Sequence, residues 1–335
     1  KKLISSPFKL PLNFHGEEKS LKIKKIIRYI ETSKKDACIL TSCDTICWLF
    51  NIRAQDLEYS PLIMAKSIIH RDGSCFIFSD QKTLKNETLN SKIKIIYKPL
   101  DHFDSHFNEY KDSIGSYLCA PNDTSFNVVM LIKEIGAKVI FKDNIVDILK
   151  AKKNTTEENG MRNAHIRDGV ALTKFIYWIK NTKNNSQTEI SASNYLDKLR
   201  SKNENFFSLS FPTIAGSGPN GAIVHYRASN KTNRKLKKND LFLVDSGAQY
   251  FDGTTDVTRT IAFSKVTYEQ KKMYTLVLKG HIAVALSTFN EKESGKTLDR
   301  NARKFLKKEK LNFDHGTGHG VGSFLNVHES PPSIS

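Results

Sequence analysis

One stretch decides the fold, and it reads Leu241-Phe-Leu-Val-Asp245-Ser-Gly-Ala-Gln-Tyr-Phe-Asp-Gly-Thr-Thr-Asp256-Val-Thr-Arg-Thr260. An apolar strand ends in a carboxylate at Asp245, where packing alone gives no reason for one. A glycine-containing turn follows, and Asp256 opens the next segment, so the two segments can fold as a hairpin. The odd offset between the two acids does not decide their faces, because the turn resets the register. Two acids on adjoining strands can nevertheless share a cation.

Two glycine-bracketed histidine segments accompany this stretch. They are Phe211-Pro-Thr-Ile-Ala-Gly-Ser-Gly-Pro-Asn-Gly-Ala-Ile-Val-His225-Tyr and His315-Gly-Thr-Gly-His319-Gly-Val-Gly, the latter running on to Asn326-Val-His328-Glu. Glycines on both sides of His319 let the backbone approach closely and let the imidazole reach a ligand site. Taken singly, each Asp is more often a turn or cap residue and each His a core residue with a hydrogen-bond partner. Two carboxylates and a histidine in this order favour a hydrolytic site for manganese, cobalt or zinc.

The bulk composition indicates a folded, soluble protein. Its 335 residues suffice for two domains, and 39% are hydrophobic and 10% aromatic. No run approaches the roughly 20 apolar residues of a membrane-spanning helix. The chain opens Lys1-Lys2 without a signal peptide. We therefore expect a cytoplasmic protein with no membrane partner.

The five cysteines predict reduced thiols rather than a disulfide framework. They all lie in the first 120 residues, among segments that read as strand or helix core. Cys43 and Cys47, four residues apart, are an alternative half of a zinc site, but no second pair with suitable spacing follows.

The net charge of +17 raises nucleic-acid binding as a counter-hypothesis. The lysines are scattered, and the two densest clusters, 231–238 and 303–310, lack interleaved aromatic residues to stack on bases. We interpret both clusters as solvated faces, one on a loop and one on a helix, and do not expect nucleic acid as a partner.

The first half of the chain predicts an α/β layer domain. Helical spacing of apolar residues marks a helix over 18–31, and helices are also expected near 103–110 and 124–136. Short strands are predicted between them, at 37–40, 62–69, 74–78, 93–97, 116–120 and 138–141. His102 and His106 share a helical spacing, but with no third ligand we place them on the surface.

A polar hinge at 151–156 predicts a domain boundary. We assign 1–152 to the first domain, with 1–17 as the tail of a preceding domain or a linker, and 153–335 to the second. Thr156 and Thr188 each begin a helix. Residues 206–225 and 241–263 are predicted as strands with glycine turns, and 268–288 and 298–308 as helices.

The run from about Glu157 to Glu329 resembles aminopeptidase P (X-Pro aminopeptidase), a pita-bread metallopeptidase family, in its cytosolic three-domain type. Several long words carry the resemblance: Asn163-Ala-His-Ile-Arg-Asp, Gly218-Pro-Asn-Gly-Ala-Ile-Val-His-Tyr, Val244-Asp-Ser-Gly-Ala-Gln-Tyr, Asp252-Gly-Thr-Thr-Asp-Val-Thr-Arg-Thr, Lys279-Gly-His-Ile-Ala-Val and His315-Gly-Thr-Gly-His-Gly-Val-Gly-Ser-Phe-Leu-Asn-Val-His-Glu. Upstream, Ile46-Cys-Trp-Leu-Phe-Asn-Ile-Arg resembles the family's middle domain. The implied fold is α/β, with a creatinase-like N-terminal domain before an α+β pita-bread catalytic domain.

The resemblance implies two divalent metal ions, usually manganese, with zinc or cobalt as alternatives. Asp245 matches a terminal bidentate ligand of one metal, Asp256 the carboxylate bridging both, and His319 the histidine ligand of the other. The implied reaction releases the N-terminal residue from peptides with proline at the second position, by a hydroxide that the two metals activate. The resemblance also suggests a homodimer.

Four further histidines are assigned by the same resemblance. His225 matches the histidine that shuttles protons or stabilises the oxyanion, and His328 the second active-site histidine, which contacts substrate. His315 matches a residue lining the proline side of the cleft. His281, inside a packed helix, is interpreted as structural.

The chain departs from the family at its end. The family's site has five protein ligands, and the last two are glutamates well downstream of the Val-His-Glu word, whereas this chain ends at Ser335. We therefore predict a fragment that lacks the family's first domain and the C-terminal part of the catalytic domain. Such a fragment is expected to bind metal weakly and to have little or no activity until a separate C-terminal piece complements it.

Two alternatives stay open beside the aminopeptidase. One is a non-catalytic pita-bread module that binds peptides or proteins. The other is a related activity on the same fold, dipeptide hydrolysis as in prolidase or creatine hydrolysis. A tripeptide with proline second, an X-Pro dipeptide and creatine discriminate among these activities.

Overall fold

A computed structural model describes residues 5–182, 186–290 and 293–335. The described residues form two compact units. The first unit contains the chain up to His165, together with 249–254 and 322–326. The second contains the remaining described residues of 166–248, 255–321 and 327–335. The predicted domain boundary between 152 and 153 stays a prediction.

Ten α-helices are found in the described residues. In chain order they are α1 (Leu12–His15), α2 (Lys19–Thr32), α3 (Cys43–Phe50), α4 (His102–Glu109), α5 (Phe126–Glu134), α6 (Ile145–Ala151), α7 (Thr155–Asn181), α8 (Glu189–Arg200), α9 (Tyr268–Ala285) and α10 (Gly295–Lys308). A 3₁₀ helix covers Gly218–Ala222. In the part of the chain that the structure describes, no helix combines the length and apolar character needed to cross a membrane.

The strands are mostly short. In chain order they are β1 (Phe8–Lys9), β2 (Ala37–Leu40), β3 (Ile52–Arg53), β4 (Ala65–His70), β5 (Ser74–Ser79), β6 (Glu87–Thr88), β7 (Lys94–Lys98), β8 (Ser116–Cys119), β9 (Lys138–Phe141), β10 (Phe206–Leu209), β11 (Ile214–Ser217), β12 (Leu241–Ser246), β13 (Ala248–Tyr250), β14 (Gly253–Thr254), β15 (Val257–Ala262), β16 (Gly318–Gly320) and β17 (Glu329–Ile334).

The first unit is built on a seven-stranded sheet with the order β6-β7-β5-β4-β2-β8-β9. β2, β8 and β9 pair in parallel, and β4 lies antiparallel between β2 and β5. Side chains of β2 alternate between two cores, because successive residues of a strand point to opposite faces. Cys38 and Leu40 join the core under α2 and α3, and Ala37 and Ile39 join the core under α4 and α5. The predicted α/β layer is confirmed.

Two buried histidines meet in the core under α4. The Nε2 atoms of His70 and His106 are 3.1 Å apart, and the residues are 3% and 0% exposed. One ring nitrogen must donate and the other accept, so the two rings cannot both be protonated. Burial lowers the pKa of His70 to about 4 and the pKa of His106 to about 3. The prediction that His106 lies on the surface was wrong, whereas His102 is exposed as predicted.

The cysteines are free thiols, as predicted, and all but Cys43 are buried. Burial raises the pKa of Cys38, Cys47, Cys75 and Cys119 to about 12. Thiols with such pKa values remain protonated at neutral pH and pack as small apolar groups.

The second unit contains a three-stranded antiparallel sheet with the order β11-β12-β15. One of its faces is covered by α7 and α8. Phe175 of α7 and Leu196 of α8 pack with Phe242 and Val244 of β12 and with Ile261 of β15. Along β12 the residues Phe242, Val244 and Ser246 are buried, while the residues between them are half-buried. Period-two alternation therefore turns Asp245 away from the helix-covered face.

A fully buried ion pair fastens α8 to α7 in this core. Arg200 Nε and Nη2 each donate to the Asp168 carboxylate over 2.7 Å, and both side chains are 0% exposed. The same Nη2 lies 3.5 Å from the carbonyl oxygen of Ser246 at the end of β12. The bidentate pair thus lies directly behind the strand that carries Asp245.

The helices α9 and α10 pack against each other through a close backbone approach. A Cβ added to Gly280 of α9 would lie 2.2 Å from the carbonyl oxygen of Ala302 in α10. Only glycine fits this crossing.

Most predicted helices and strands of the second half are present. Thr188 begins α8 through a capping box, with its hydroxyl accepting from Ser191 N–H, as the predicted helix start requires. The prediction of strand up to His225 was wrong beyond Ser217. The 3₁₀ helix follows at that point, because the Gly-Pro-Asn-Gly sequence favours a turn.

Candidate metal and catalytic site

The antiparallel ladder of β12 and β15 positions Asp245. Asp245 lies opposite Thr258 in the register, and the Thr258 hydroxyl donates to Asp245 Oδ1 over 2.7 Å. Burial raises the pKa of Asp245, and the negative charge of Asp256 adds to this effect. The hydrogen bond from Thr258 acts in the opposite direction and stabilises the carboxylate. A charged group held at partial burial in this way is ready to receive a cation.

Asp256 is held close to the ladder by a contact that requires glycine. Asp256 precedes Val257, which pairs with Ser246, and Gly247 follows Ser246 on the other strand. A Cβ on Gly247 would lie 1.9 Å from the carbonyl oxygen of Thr255. The two backbones therefore touch where they leave the ladder, and this contact keeps Asp256 beside the strand of Asp245.

His319 reaches the two acids from a separate hairpin. It lies in β16, opposite Ser333 of β17. Its Nδ1 is 2.7 Å from the carbonyl oxygen of Gly320, which can only accept, so Nδ1 carries the proton. Its Nε2 lies 3.3 Å from Asp256 Oδ2. The hydrogen bond with Asp256 raises the pKa of His319, although burial acts against this.

His328 and His225 border this group. The rings of His319 and His328 meet edge to face, with centroids 4.3 Å apart and an interplanar angle of 88°. Burial lowers the pKa of His328, and the positive charges of His319 and His225 contribute to the decrease. His225 also lowers the pKa of Asp245. Its backbone φ is +54°, in the left-handed region, and its side chain is exposed.

His315 lies outside these contacts. Its ring stacks on Phe313, with centroids 4.8 Å apart, and Arg303 Nη2 donates to the His315 carbonyl oxygen over 2.7 Å. Between the described side chains we find no hydrogen bond, ion pair or ring contact that joins His315 to Asp245 or His319. The structure therefore brings Asp256, His319 and His328 into contact, with Asp245 and His225 close enough to affect their neighbours electrostatically, and it places His315 on a neighbouring loop. Its predicted role on the proline side of the cleft stays a prediction.

The donor atoms suit a divalent ion by chemistry. Neighbouring ligands of one six-coordinate ion are about 3 Å apart, close to the 3.3 Å between Asp256 Oδ2 and His319 Nε2. The bond from Nδ1 to Gly320 leaves the lone pair of Nε2 for a metal when the ring is neutral. Within 5–182, 186–290 and 293–335, however, no three His, Cys, Asp or Glu side chains converge tightly enough to hold a metal ion. The pair of Asp256 and His319 is assembled, with Asp245 beside it.

Three supporting residues escaped prediction from the sequence. Thr258 and Gly247 belong to the words that carry the two aspartates, but their roles depend on the strand register. Arg303 was predicted only as part of a basic helix, yet it contacts both Asp299 and the carbonyl oxygen of His315. Nothing in the neighbouring sequence distinguishes Arg303 from the other basic residues of the 303–310 cluster.

Comparison with known protein families gives two matches, one for each half of the chain. Metallopeptidase family M24 matches residues 159–335, and the creatinase/prolidase N-terminal domain matches residues 3–157. The first match covers more than half of the chain, and the chain therefore belongs to metallopeptidase family M24. The two matches confirm the predicted order of a creatinase-like domain followed by a pita-bread metallopeptidase domain.

Individual relatives narrow the resemblance. The probable Xaa-Pro aminopeptidase P of Paracoccidioides brasiliensis (strain Pb03) is 39% identical over 340 residues, which cover 97% of this chain and 55% of the relative. The corresponding protein of Podospora anserina is 37% identical, covering 98% of this chain and 50% of the relative. This chain thus spans about half the length of the curated relatives it matches.

Solved structures also resemble this chain over nearly its whole length. The X-prolyl aminopeptidase of Caenorhabditis elegans, described as a cytosolic enzyme with a di-nuclear active site, superposes with a TM-score of 0.91 at 34% identity, covering 99% of this chain and 55% of the other. The prolidase of Pyrococcus horikoshii superposes with a TM-score of 0.70 at 22% identity, covering 94% and 85%. At that identity the second likeness concerns the fold alone.

Proposed function

We propose that this chain carries the site of a metal-dependent aminopeptidase that releases the N-terminal residue from peptides with proline at the second position. One observation carries the proposal. His319 Nε2 lies 3.3 Å from Asp256 Oδ2, at the end of the ladder that holds Asp245. Relatives named Xaa-Pro aminopeptidase P, 36 to 39% identical, and the di-nuclear neighbour support the substrate class and the metal dependence.

Asp245, Asp256 and His319 would hold the metal ions in this proposal, with manganese favoured over zinc or cobalt. Bound divalent ions supply Lewis acidity at the scissile carbonyl group. The chain's own residues prepare the site for them. The hydrogen bond from Thr258 orients Asp245 and favours its ionised form, and the Gly320 carbonyl oxygen fixes the tautomer of His319.

The accessory histidines handle the proton and the substrate in this proposal. His225 is exposed at the edge of the site and can pass a proton or donate to a developing oxyanion. A lowered pKa keeps His328 neutral near pH 7, so it can donate or accept a hydrogen bond with a peptide. His315 would line the side of the cleft that receives proline.

Hydrolysis of an X-Pro-Pro peptide by the purified chain, with and without manganese, tests the proposal. Release of the first residue only with added metal supports it. An X-Pro dipeptide and creatine serve as comparison substrates, and preference for either would favour a related activity of the same fold. Turnover that appears only after a complementing C-terminal polypeptide is added would mean that the chain is half of an enzyme. Peptide binding without turnover under either condition would favour the non-catalytic module.

Three further experiments address the partners and the cellular location. Adding a polypeptide that supplies the part of the relatives outside the aligned region tests the predicted complementation. Light scattering of the purified chain tests the predicted homodimer. The cytosolic description of the nematode neighbour supports a cytosolic location for this chain, which fractionation of expressing cells would test.

A further inference from the structure

One buried carboxylate collects several hydrogen bonds from the segment that carries His225. Glu189, the first residue of α8, is 0% exposed. Its Oε1 accepts from the backbone N–H of Ser217 over 2.7 Å and from Asn220 Nδ2 over 2.9 Å. Its Oε2 accepts from the hydroxyl of Tyr226 over 2.9 Å and from the backbone N–H of Arg234 over 2.9 Å.

These four donors come from one stretch, residues 217–234, and they fall on both sides of His225. An ionised carboxylate has about four acceptor positions, so this stretch saturates it. Hydrogen bonds to a charged acceptor at full burial are stronger than neutral ones, and their loss is costly because the donors become buried without an acceptor. Glu189 is therefore the common anchor of the stretch rather than one contact among many.

Backbone hydrogen bonds at the start of α8 also hold the C-terminal end of this stretch. Glu189 N–H donates to the Arg234 carbonyl oxygen over 3.0 Å, and Leu236 N–H donates to the Gln187 carbonyl oxygen over 3.0 Å. The backbone at the start of α8 thus fixes the C-terminal end of the segment, and the Glu189 side chain reaches its N-terminal end at Ser217 and its middle at Tyr226.

Between these anchors the segment has little packing of its own. Ile223 and Val224 are 54% and 59% exposed, and His225 is exposed as well. His225 also adopts a φ of +54°, which a residue with a side chain rarely adopts unless its neighbours impose it. The next residue, Tyr226, is buried and bonded to Glu189. A local turn, closed by Tyr226 N–H donating to the Ile223 carbonyl oxygen over 3.2 Å, encloses His225. The hydrogen bond from the Tyr226 hydroxyl to Glu189 ties this turn to α8.

We propose that Glu189 is a positioning residue, which holds the 217–234 segment so that the imidazole of His225 stays at the edge of the Asp245 and His328 group. The effect on the reaction rests on the proposed function, because His225 acts there as the proton or oxyanion group. The effect on the segment does not depend on that function.

The test compares Glu189→Gln with Asp197→Asn. Asp197 is a matched carboxylate on the same helix, but it accepts from Thr213, outside the anchored segment. A glutamine at 189 presents an amide NH₂ group where the segment also presents a backbone N–H, so Ser217 or Arg234 must lose its acceptor. Hydrogen exchange of peptides covering 217–236 and the imidazole NMR signals of His225, assigned by their loss in His225→Asn, are measured in both variants. Tyr226→Phe, which removes one hydroxyl, replaces Glu189→Gln if that variant does not fold.

We expect exchange in 217–236 to rise about tenfold in Glu189→Gln and the His225 signals to shift or broaden, with α8 itself still protected. Asp197→Asn leaves both unchanged. If the chain hydrolyses an X-Pro-Pro peptide, kcat should fall about tenfold or more while KM changes less than about twofold. Unchanged exchange and unchanged His225 signals in Glu189→Gln would overturn the inference. Absence of turnover in the wild-type chain, both by itself and with a complementing C-terminal polypeptide, would count against the proposed function only, since the exchange and NMR results still decide the role of Glu189.

Discussion

His319 Nε2 lies 3.3 Å from Asp256 Oδ2, although His319 belongs to the β16–β17 hairpin and Asp256 lies directly before β15 of another sheet. The contact joins the hairpin of β16 and β17 to the end of the β12–β15 ladder. A proton on Nε2 makes this contact an ion pair, and a divalent ion would take the place of that proton.

Removing either partner should therefore weaken metal binding. We expect His319→Ala and Asp256→Asn each to lower the affinity for Mn²⁺ by about tenfold or more. Loss of a residue that only supports a metal ligand already lowers metal affinity by about tenfold, and loss of a ligand should cost at least as much. Titration calorimetry on chain stripped with a chelator measures the effect. His281→Ala is the matched control and should bind as the wild type does, because His281 of α9 is exposed and not packed as interpreted from the sequence. Equal affinities in all four proteins would rule out this pair as ligands.

The buried pair of Arg200 and Asp168 should contribute strongly to stability. Arg200→Met leaves a buried carboxylate without its guanidinium, which costs about 3–5 kcal/mol of unfolding free energy. The exposed pair of Lys272 and Glu309 offers a contrast, with side chains 35% and 42% exposed. Lys272→Met should cost far less, because solvent and salt screen an exposed ion pair. Urea unfolding measures both, and a similar loss in the two variants would contradict the expectation.

Two helical glycines should respond oppositely to alanine. Gly280→Ala puts a methyl group 2.2 Å from the Ala302 carbonyl oxygen, so α9 and α10 must separate, at a cost of about 1–3 kcal/mol. Gly169 of α7 has open space around its Cβ position, and Gly169→Ala should stabilise the protein by up to about 1 kcal/mol. Thermal unfolding of the two variants gives the signs, and a stabilised Gly280→Ala would mean that the helix contact is not rigid.

The pair of His70 and His106 should make stability depend on pH. Folded pKa values of about 4 and about 3 lie below the ordinary value of 6.5, so the unfolded chain binds more protons in between. Stability is fully present above pH 6.5 and is lost as the pH falls toward 4. Between pH 7 and pH 5 the loss is about 2 kcal/mol for each histidine.

The charges around the pair modify this dependence without reversing it. Asp72 and Glu109 raise the pKa of His70, and Lys98 lowers the pKa of both histidines, but burial is the largest effect. The double variant His70→Phe with His106→Leu should lose most of the slope in urea unfolding at pH 5 and pH 7. His102→Asn, on the exposed side of α4, should keep the slope. A double variant with the wild-type slope would show that other groups titrate in this window.

The sequence predicted the parts of the site better than their arrangement. Asp245, Asp256 and His319 were recognisable because a carboxylate after an apolar run and a histidine between glycines are each unusual for packing. The faces of the two aspartates were not, since the turn between them leaves the register open until the ladder pairs Asp245 with Thr258.

Two predictions were wrong, the surface position of His106 and the strand up to His225, and both errors have the same physical origin. Helical spacing showed that His102 and His106 share a helix, but it carries no information about the strand residue His70, which covers one of them. The strand predicted up to His225 ends earlier, because the turn-forming Gly-Pro-Asn-Gly sequence and the hydrogen bonds from Glu189 outweigh the apolar residues that follow. Contacts between residues far apart in the chain decided each case.

Because side chains alternate between two faces along β12, substitutions in this strand should have two different kinds of effect. Phe242, Val244 and Ser246 face the helices, so substitutions there should appear as lost protein in a cell. The side chain of Asp245 faces the other way, and its substitution should leave abundance intact while removing whatever the site does. A library of substitutions at the six positions of β12, 241–246, can be scored separately for protein abundance and for turnover. The two scores should show interleaved patterns, each with a period of two residues.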